Sequence, residues 1–156
     1  MRTLPLAITS LALFATVPAL SAQTKTTIVP TDWLPALAPS IRSTLDRLKE
    51  ADAQAEMNSL SREVAEMTDA QLFIAYVRLY EQLTQKERTA LLAEQTKWLK
   101  ARAKAASESM ESEGGSLAPL EANNIEVTLS EKRLAELRDR LKTVGKKKKK
   151  AAADGD

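Results

Sequence analysis

The chain has 156 residues, with 23 Lys and Arg against 21 Asp and Glu, no His and no Cys. Without Cys there is no disulfide and no thiolate metal site, and without His the commonest general base and zinc ligand is missing. Cys–His and Ser–His nucleophiles are therefore excluded. Four Gly and 4% aromatic residues are too few for the turns and strands of a sandwich or barrel. The net charge of +2 comes from the C-terminal run Lys146 to Lys150; segment 23–144 carries 17 basic and 19 acidic residues. A near-neutral body argues against nucleic acid as a partner.

Arg2 is the only charge before an apolar run from Leu4 to Leu20, which Pro18 interrupts and Ser21 and Ala22 follow. That order is the one of a bacterial secretory signal peptide, 1–22, and the run is shorter than the roughly 20 apolar residues of a membrane span. Cleavage is expected after Ala22, with the cut after Ser21 as the rival site. The rival reading of the whole run is an uncleaved anchor. Cleavage leaves no transmembrane segment and a mature chain of 134 residues, one domain's worth, in the periplasm or the medium. Segment 23–39 holds Pro30, Pro35 and Pro39. It reads as an extended arm, with Trp33 and Leu34 as residues to anchor it on the body.

From Ser40 the pattern turns helical. Ile41, Leu45 and Leu48, then Met57, Leu60, Val64 and Met67, recur at threes and fours. Thr68 with Gln71 has the form of a capping box and predicts a helix start there. Leu72, Tyr76, Leu79 and Leu83 make the next row. Thr84 with Glu87 is a second box, opening a helix that carries Leu91, Gln95, Trp98, Leu99 and Arg102 past Met110. Gly114-Gly115 stops it. Leu117 to Asn124, with Pro119 and two Asn, reads as loop or one short turn. Thr128 with Glu131 is a third box, before the row Leu134, Leu137, Leu141. The fold expected over 40–144 is all-α, a bundle of about four antiparallel helices. The tail 145–156 has no apolar residue larger than Ala and is expected to be disordered.

Five pieces stand in order: Gln54-Ala-Glu-Met-Asn58; Leu72 and Tyr76 with Leu79; Gln95-Thr-Lys-Trp98 with Arg102; Gly114-Gly115-Ser116 with Ala118-Pro119; and Leu129-Ser-Glu-Lys-Arg133 with Glu136-Leu137. Together they resemble the lysozyme inhibitor LprI-like N-terminal domain family over about residues 45 to 142. The resemblance implies a helical domain that binds lysozyme-like muramidases. Where the family commonly has Cys, this chain has Leu60, Ala106 and Ile125. Each missing bridge forgoes about 2–4 kcal/mol of restraint on the unfolded chain. Apolar packing must then hold the fold, which is expected to be indifferent to reductant.

Each motif residue has two readings. Trp98 and Tyr76 are exposed anchors for a partner or core aromatics, and their spacing along the buried rows favours the core. Arg102 and Arg133 grip a foreign carboxylate or tie to an internal acid such as Glu56 or Asp69, and the internal tie is favoured. The Gly114-Gly115-Ser116 loop is the expected binding element, since loops held by rigid helices often carry function. Glu108, Glu111, Glu113, Glu121 and Glu126 surround it, and no Lys or Arg occurs from 108 to 126. Glu111 and Glu113 are the acids placed to steer a basic muramidase toward the loop.

No pair of carboxylates is fixed for hydrolysis, so the expected protein is a non-enzymatic binder without cofactor or metal. A second reading makes it an envelope interaction protein whose Lys tail makes weak contact with anionic polymers or lipid.

Overall fold

The computed structural model describes residues 37–154, apart from the side chains of Ser112, Glu113 and Ala152. Residues 1–36, on which the expected signal peptide and most of the expected arm fall, lie outside the described residues. Four helices follow in order: α1 (Leu37–Glu50), α2 (Gln54–Gln82), α3 (Gln85–Glu113) and α4 (Ala118–Ala153), with a 3-10 turn at Gly115–Leu117. There is no strand among the described residues.

α1 begins three residues before the expected Ser40 and includes Pro39. Proline is tolerated there because N–H groups of the first turn have no helical partner to lose. The helix folds back along α2: buried Thr44 donates from Oγ1 to Glu63 Oε1 at 3.0 Å, and Arg47 lies 3.7 Å from the same carboxylate. The turn between them, Ala51 to Ala53, has no side-chain cap. The apolar rows run across it, so the sequence reading placed no break there.

α2 continues through Thr68, where a helix start was expected. The Thr68 hydroxyl is buried and donates 2.8 Å to the Val64 carbonyl one turn back, so it serves the helix interior. The Thr84 box is real. Glu87 N–H donates to Thr84 Oγ1, and Glu87 Oε2 accepts from the Thr84 N–H at 2.8 Å. Only Leu83 and Thr84 separate α2 from α3.

Two expectations near α4 are corrected. Residues 118–124 are the first turns of α4, with Pro119 near its start where the missing N–H costs nothing, and Thr128 lies inside the helix. The Lys-rich tail is not irregular: α4 carries it as far as Ala153. Lys and Ala are good helix formers, cations suit a helix C-terminus, and Lys148 Nζ donates 2.9 Å to Gln82 Oε1.

Consecutive helices run antiparallel, so α2 and α4 run parallel. Asn123 meets Ser61, Ser130 meets Asp69 and Lys148 meets Gln82, in rising order on both helices. α4 packs against both α2 and α3. The core joins Leu72, Ala75, Leu79 and Leu83 of the α2 side to Leu91 of α3 and Leu134 and Leu137 of α4. Leu79, Leu91 and Leu137 are fully enclosed, each able to contribute about 2–3 kcal/mol by burial. Tyr76, Tyr80, Trp98, Leu141 and Val144 pack around this seam. Leu60 and Ala106, at two expected Cys positions, are buried, and Ile125 is half-buried.

The capping box gives a pH-dependent prediction. The Thr84 N–H and hydroxyl hold the Glu87 carboxyl below its ordinary range. A depressed carboxylate stabilises the fold above its unfolded pKa, and that contribution disappears as pH falls through the folded value. Thr84→Ala should cost about 1 kcal/mol in urea unfolding at pH 7. The gap to wild type should narrow once acid protonates Glu87.

Candidate functional site

The pole where α3 ends and α4 begins is built from local backbone rules. Gly114 and Gly115 have φ of 63° and 67°, the left-handed region in which a side chain strains the backbone. The Gly114 N–H donates 3.1 Å to the Met110 carbonyl and closes the last turn of α3. The 3-10 turn then delivers the chain to α4.

Asparagine side chains moor this turn to α2. Asn58 Nδ2 donates 3.1 Å to the Ser116 carbonyl, while Asn58 Oδ1 accepts from Gln54 Nε2 at 2.9 Å. Ser61 Oγ donates to the Asn58 carbonyl at 3.0 Å and accepts from Asn123 Nδ2 at 2.9 Å. Gln54, Asn58 and Asn123 are thus the residues that hold the loop. The sequence reading quoted Gln54 and Asn58 as a motif without a task and placed Asn123 in a loop. Their signal is the amide type itself, which both donates and accepts.

Around the moored turn the surface is mixed. Met110 and Leu117 are 47% and 49% exposed, large apolar side chains on either side of Gly114-Gly115-Ser116. Glu111 is exposed and accepts from Ser107 Oγ at 3.3 Å, and Glu108 pairs with Lys104 at 3.5 Å. Glu121 and Glu126 are half-buried on the first turns of α4. Glu113 ends α3, and its side chain lies outside those described. The basic residues at the end of α1 are engaged, Arg47 by Glu63 and Lys49 by Asp46 at 2.8 Å. The Lys49 ammonium holds the Asp46 carboxyl below its usual range. The pole thus sets exposed apolar side chains, Met110 and Leu117, beside the carboxylates of Glu108 and Glu111.

The other motif residues meet in the bundle's middle. Arg102 of α3 donates from Nη1 to Asp69 of α2 and, at 2.7 Å, to Ser130 of α4; Ser130 Oγ donates in turn to Asp69 at 2.9 Å. The Arg102 guanidinium stands 5.1 Å from the Trp98 ring centre, a cation–π contact. One turn along α4, Arg133 donates from Nε to Gln95 Oε1 at 3.1 Å and from Nη1 to Glu136 at 3.0 Å. Glu94 lies 3.6 Å from Arg133 and 2.6 Å from Arg140. The Arg140 hydrogen bond, aided by both guanidinium charges, holds the Glu94 carboxyl below its usual range. Tyr76 lies half-buried with its ring 6.1 Å from that of Tyr80, and burial raises its phenol above the ordinary value. Arg102 with Asp69 and Ser130 thus joins α2, α3 and α4, and Arg133 with Gln95 joins α4 to α3, while Tyr76 and Trp98 pack against the apolar core beside Tyr80 and Arg102 of their own helices.

That tie can be measured by a double-mutant cycle. Asp69→Ala leaves Arg102, 12% exposed at its side chain, without its carboxylate, and should cost about 2–3 kcal/mol. Adding Arg102→Met should recover part of that loss, giving a coupling energy of about 1 kcal/mol or more in chemical denaturation.

A comparison with protein families matches the lysozyme inhibitor LprI model over residues 46–137. Searches of curated proteins and of solved structures give no match. The match spans more than half of the chain and contains both the moored Gly-Gly turn and the arginine ties. The chain belongs to the lysozyme inhibitor LprI family.

Proposed function

We propose that this protein is an exported, non-enzymatic binder that inhibits a lysozyme-like muramidase, using the pole around Gly114-Gly115-Ser116 as its docking surface. Membership of an inhibitor family over residues 46–137 is the observation that carries this reading. The geometry of the pole supports it. A turn held by Asn58 loses little freedom on binding, and preorganisation of this kind favours affinity. Met110 and Leu117 offer apolar contact beside it. The carboxylates from Glu108 to Glu126 attract a basic partner whose cleft accepts the turn. Export rests on the apolar run before Ala22. No described helix is long and apolar enough to cross a membrane.

A second reading has its own observation. Lys146 to Lys150 form an exposed row on the last turns of α4. A basic row near an anionic envelope gains about 1 kcal/mol per Lys. On this reading the protein is an envelope interaction protein, and contact through the row does not require the Gly-Gly pole.

Lysis of a cell-wall suspension by lysozyme separates the two readings. The purified mature chain should slow lysis, and deletion of 146–156 should leave that effect intact. Envelope binding that disappears with those residues, or with added salt, would favour the second reading. The double change Glu111→Lys with Glu113→Lys should slow association with lysozyme by about tenfold at low salt, less at high salt. An unaltered rate at low salt would remove the acidic pole from the mechanism.

A further inference from the structure

α2 carries a buried acid near its C-terminal end: Glu81 is 9% exposed. It lies 18 residues after Glu63, about five turns along α2, and so on the same face of that helix. α1 covers this face at Glu63, whose side chain nevertheless keeps 48% exposure. At Glu81 the cover is deeper, yet α1 does not extend that far. Thr44 stands at Glu63, and α1 begins seven residues earlier, at Leu37, about 10 Å further along α2. Glu81 stands about 27 Å along, so α1 stops roughly 16 Å short of it.

The other helices meet α2 on different sides. α4 meets it at Ser61 and Gln82, and α3 meets it at Asp69, each about 100° or more round the helix from Glu81. Arg88 of α3 reaches the main chain there, donating to the Glu81 carbonyl at 3.4 Å. The neighbours of Glu81 follow the same pattern. Ile74, Val77 and Arg78 share its face at helical spacing and are half-buried, whereas Phe73 is 64% exposed.

We propose that the segment before α1 covers this face. Residues 30–36 run on from Leu37 along α2, and Trp33 and Leu34 seat on Ile74, Val77 and Arg78 beside Glu81.

Direction, reach and chemistry select this segment. α1 is antiparallel to α2, so the chain upstream of Leu37 continues toward the Glu81 end. An extended chain advances at most about 3.5 Å per residue, so Trp33, four residues before Leu37, stands up to about 14 Å further on. Its side chain spans the remainder. Pro30 and Pro35 keep the segment out of a helix, and Pro35 drives Leu34 toward the extended region. Trp33 brings a large apolar ring for Ile74 and Val77 and an indole N–H, which only donates. A carboxylate taken out of water accepts from donors of this kind. α2 is then held from both sides, with Leu79 in the core and Glu81 under the strap.

This inference does not depend on the proposed inhibition, because the face shares no residue with the Gly-Gly pole. The test uses the chain from Gln23 with Trp98→Phe, which leaves Trp33 as its one tryptophan. The emission of Trp33 should lie to the blue of that of the same chain unfolded in urea, and acrylamide should quench it less. Val77→Asp should return both readings toward the unfolded values while the helical circular dichroism is kept. Trp33→Ala with Leu34→Ala, in a chain that retains Trp98, should lower the melting temperature by about 5 °C or more. Should Trp98→Phe fail to fold, the difference between the spectra of wild type and Trp33→Phe supplies the same reading. A Trp33 that emits and is quenched as in urea would overturn the proposal, as would an unchanged melting temperature. A buried Trp33 indifferent to Val77→Asp would place the segment elsewhere on the bundle and overturn it too. Burial that disappears on dilution would assign the cover to a second copy, with the same consequence.

Discussion

Everything else in this protein depends on one seam, where Leu79, Leu91 and Leu137 meet with no solvent between them. There is no cysteine to staple the helices. The three long helices must therefore be held by burial, and burial is non-directional. Direction comes from the polar layer beside the seam. Asp69, Ser130 and Arg102 bond to one another only when α2, α3 and α4 share a single register, and Arg133 with Gln95 repeats the constraint one turn along. A slide of α3 along α4 would leave a guanidinium in the interior without its acceptors, a cost of several kcal/mol. Apolar packing supplies the drive, and the arginines select which packing is reached.

That division explains what could be read from residues alone. Rows at threes and fours marked Leu60, Val64, Leu72, Leu79, Leu134 and Leu137 as buried, because burial follows period. The Thr84 box and the Gly114-Gly115 stop were legible because both are local backbone events. The Thr68 pattern misled because a Thr followed by Gln three residues on also suits a helix interior, where the hydroxyl returns to the carbonyl one turn back. The break at Ala51–Ala53 was hidden for the opposite reason: no Gly, Pro or capping side chain marks it, and α1 turns there because it packs on α2. Leu99 was read as part of the buried row of α3 but is 43% exposed, since α4 covers only one side of that helix.

The candidate site divided along similar lines. Asp69 as the acid for an arginine was legible, because a large cation beside an apolar row needs an internal partner. The mooring of the Gly-Gly turn was not. It joins Asn58 to Ser116 across 58 positions, a distance at which no local pattern operates. The exposure of Phe73 and Leu92 was equally invisible. Whether they line a core or a surface depends on where α4 lies, and that is a property of the whole bundle.

The parallel course of α2 and α4 gives the molecule a head and a foot. The Ser116 turn sits beside the start of α2, whereas α4 leaves past the end of α2, near Gln82. The first half of α1 lies alongside Thr68 and Gln71, so the chain also enters well away from the turn. A tether fastened at the trailing end of α4, whether to a surface, a resin or a fused protein, therefore aims the glycine turn outward. Orientation on a support is thus written into the topology, and no linker has to supply it.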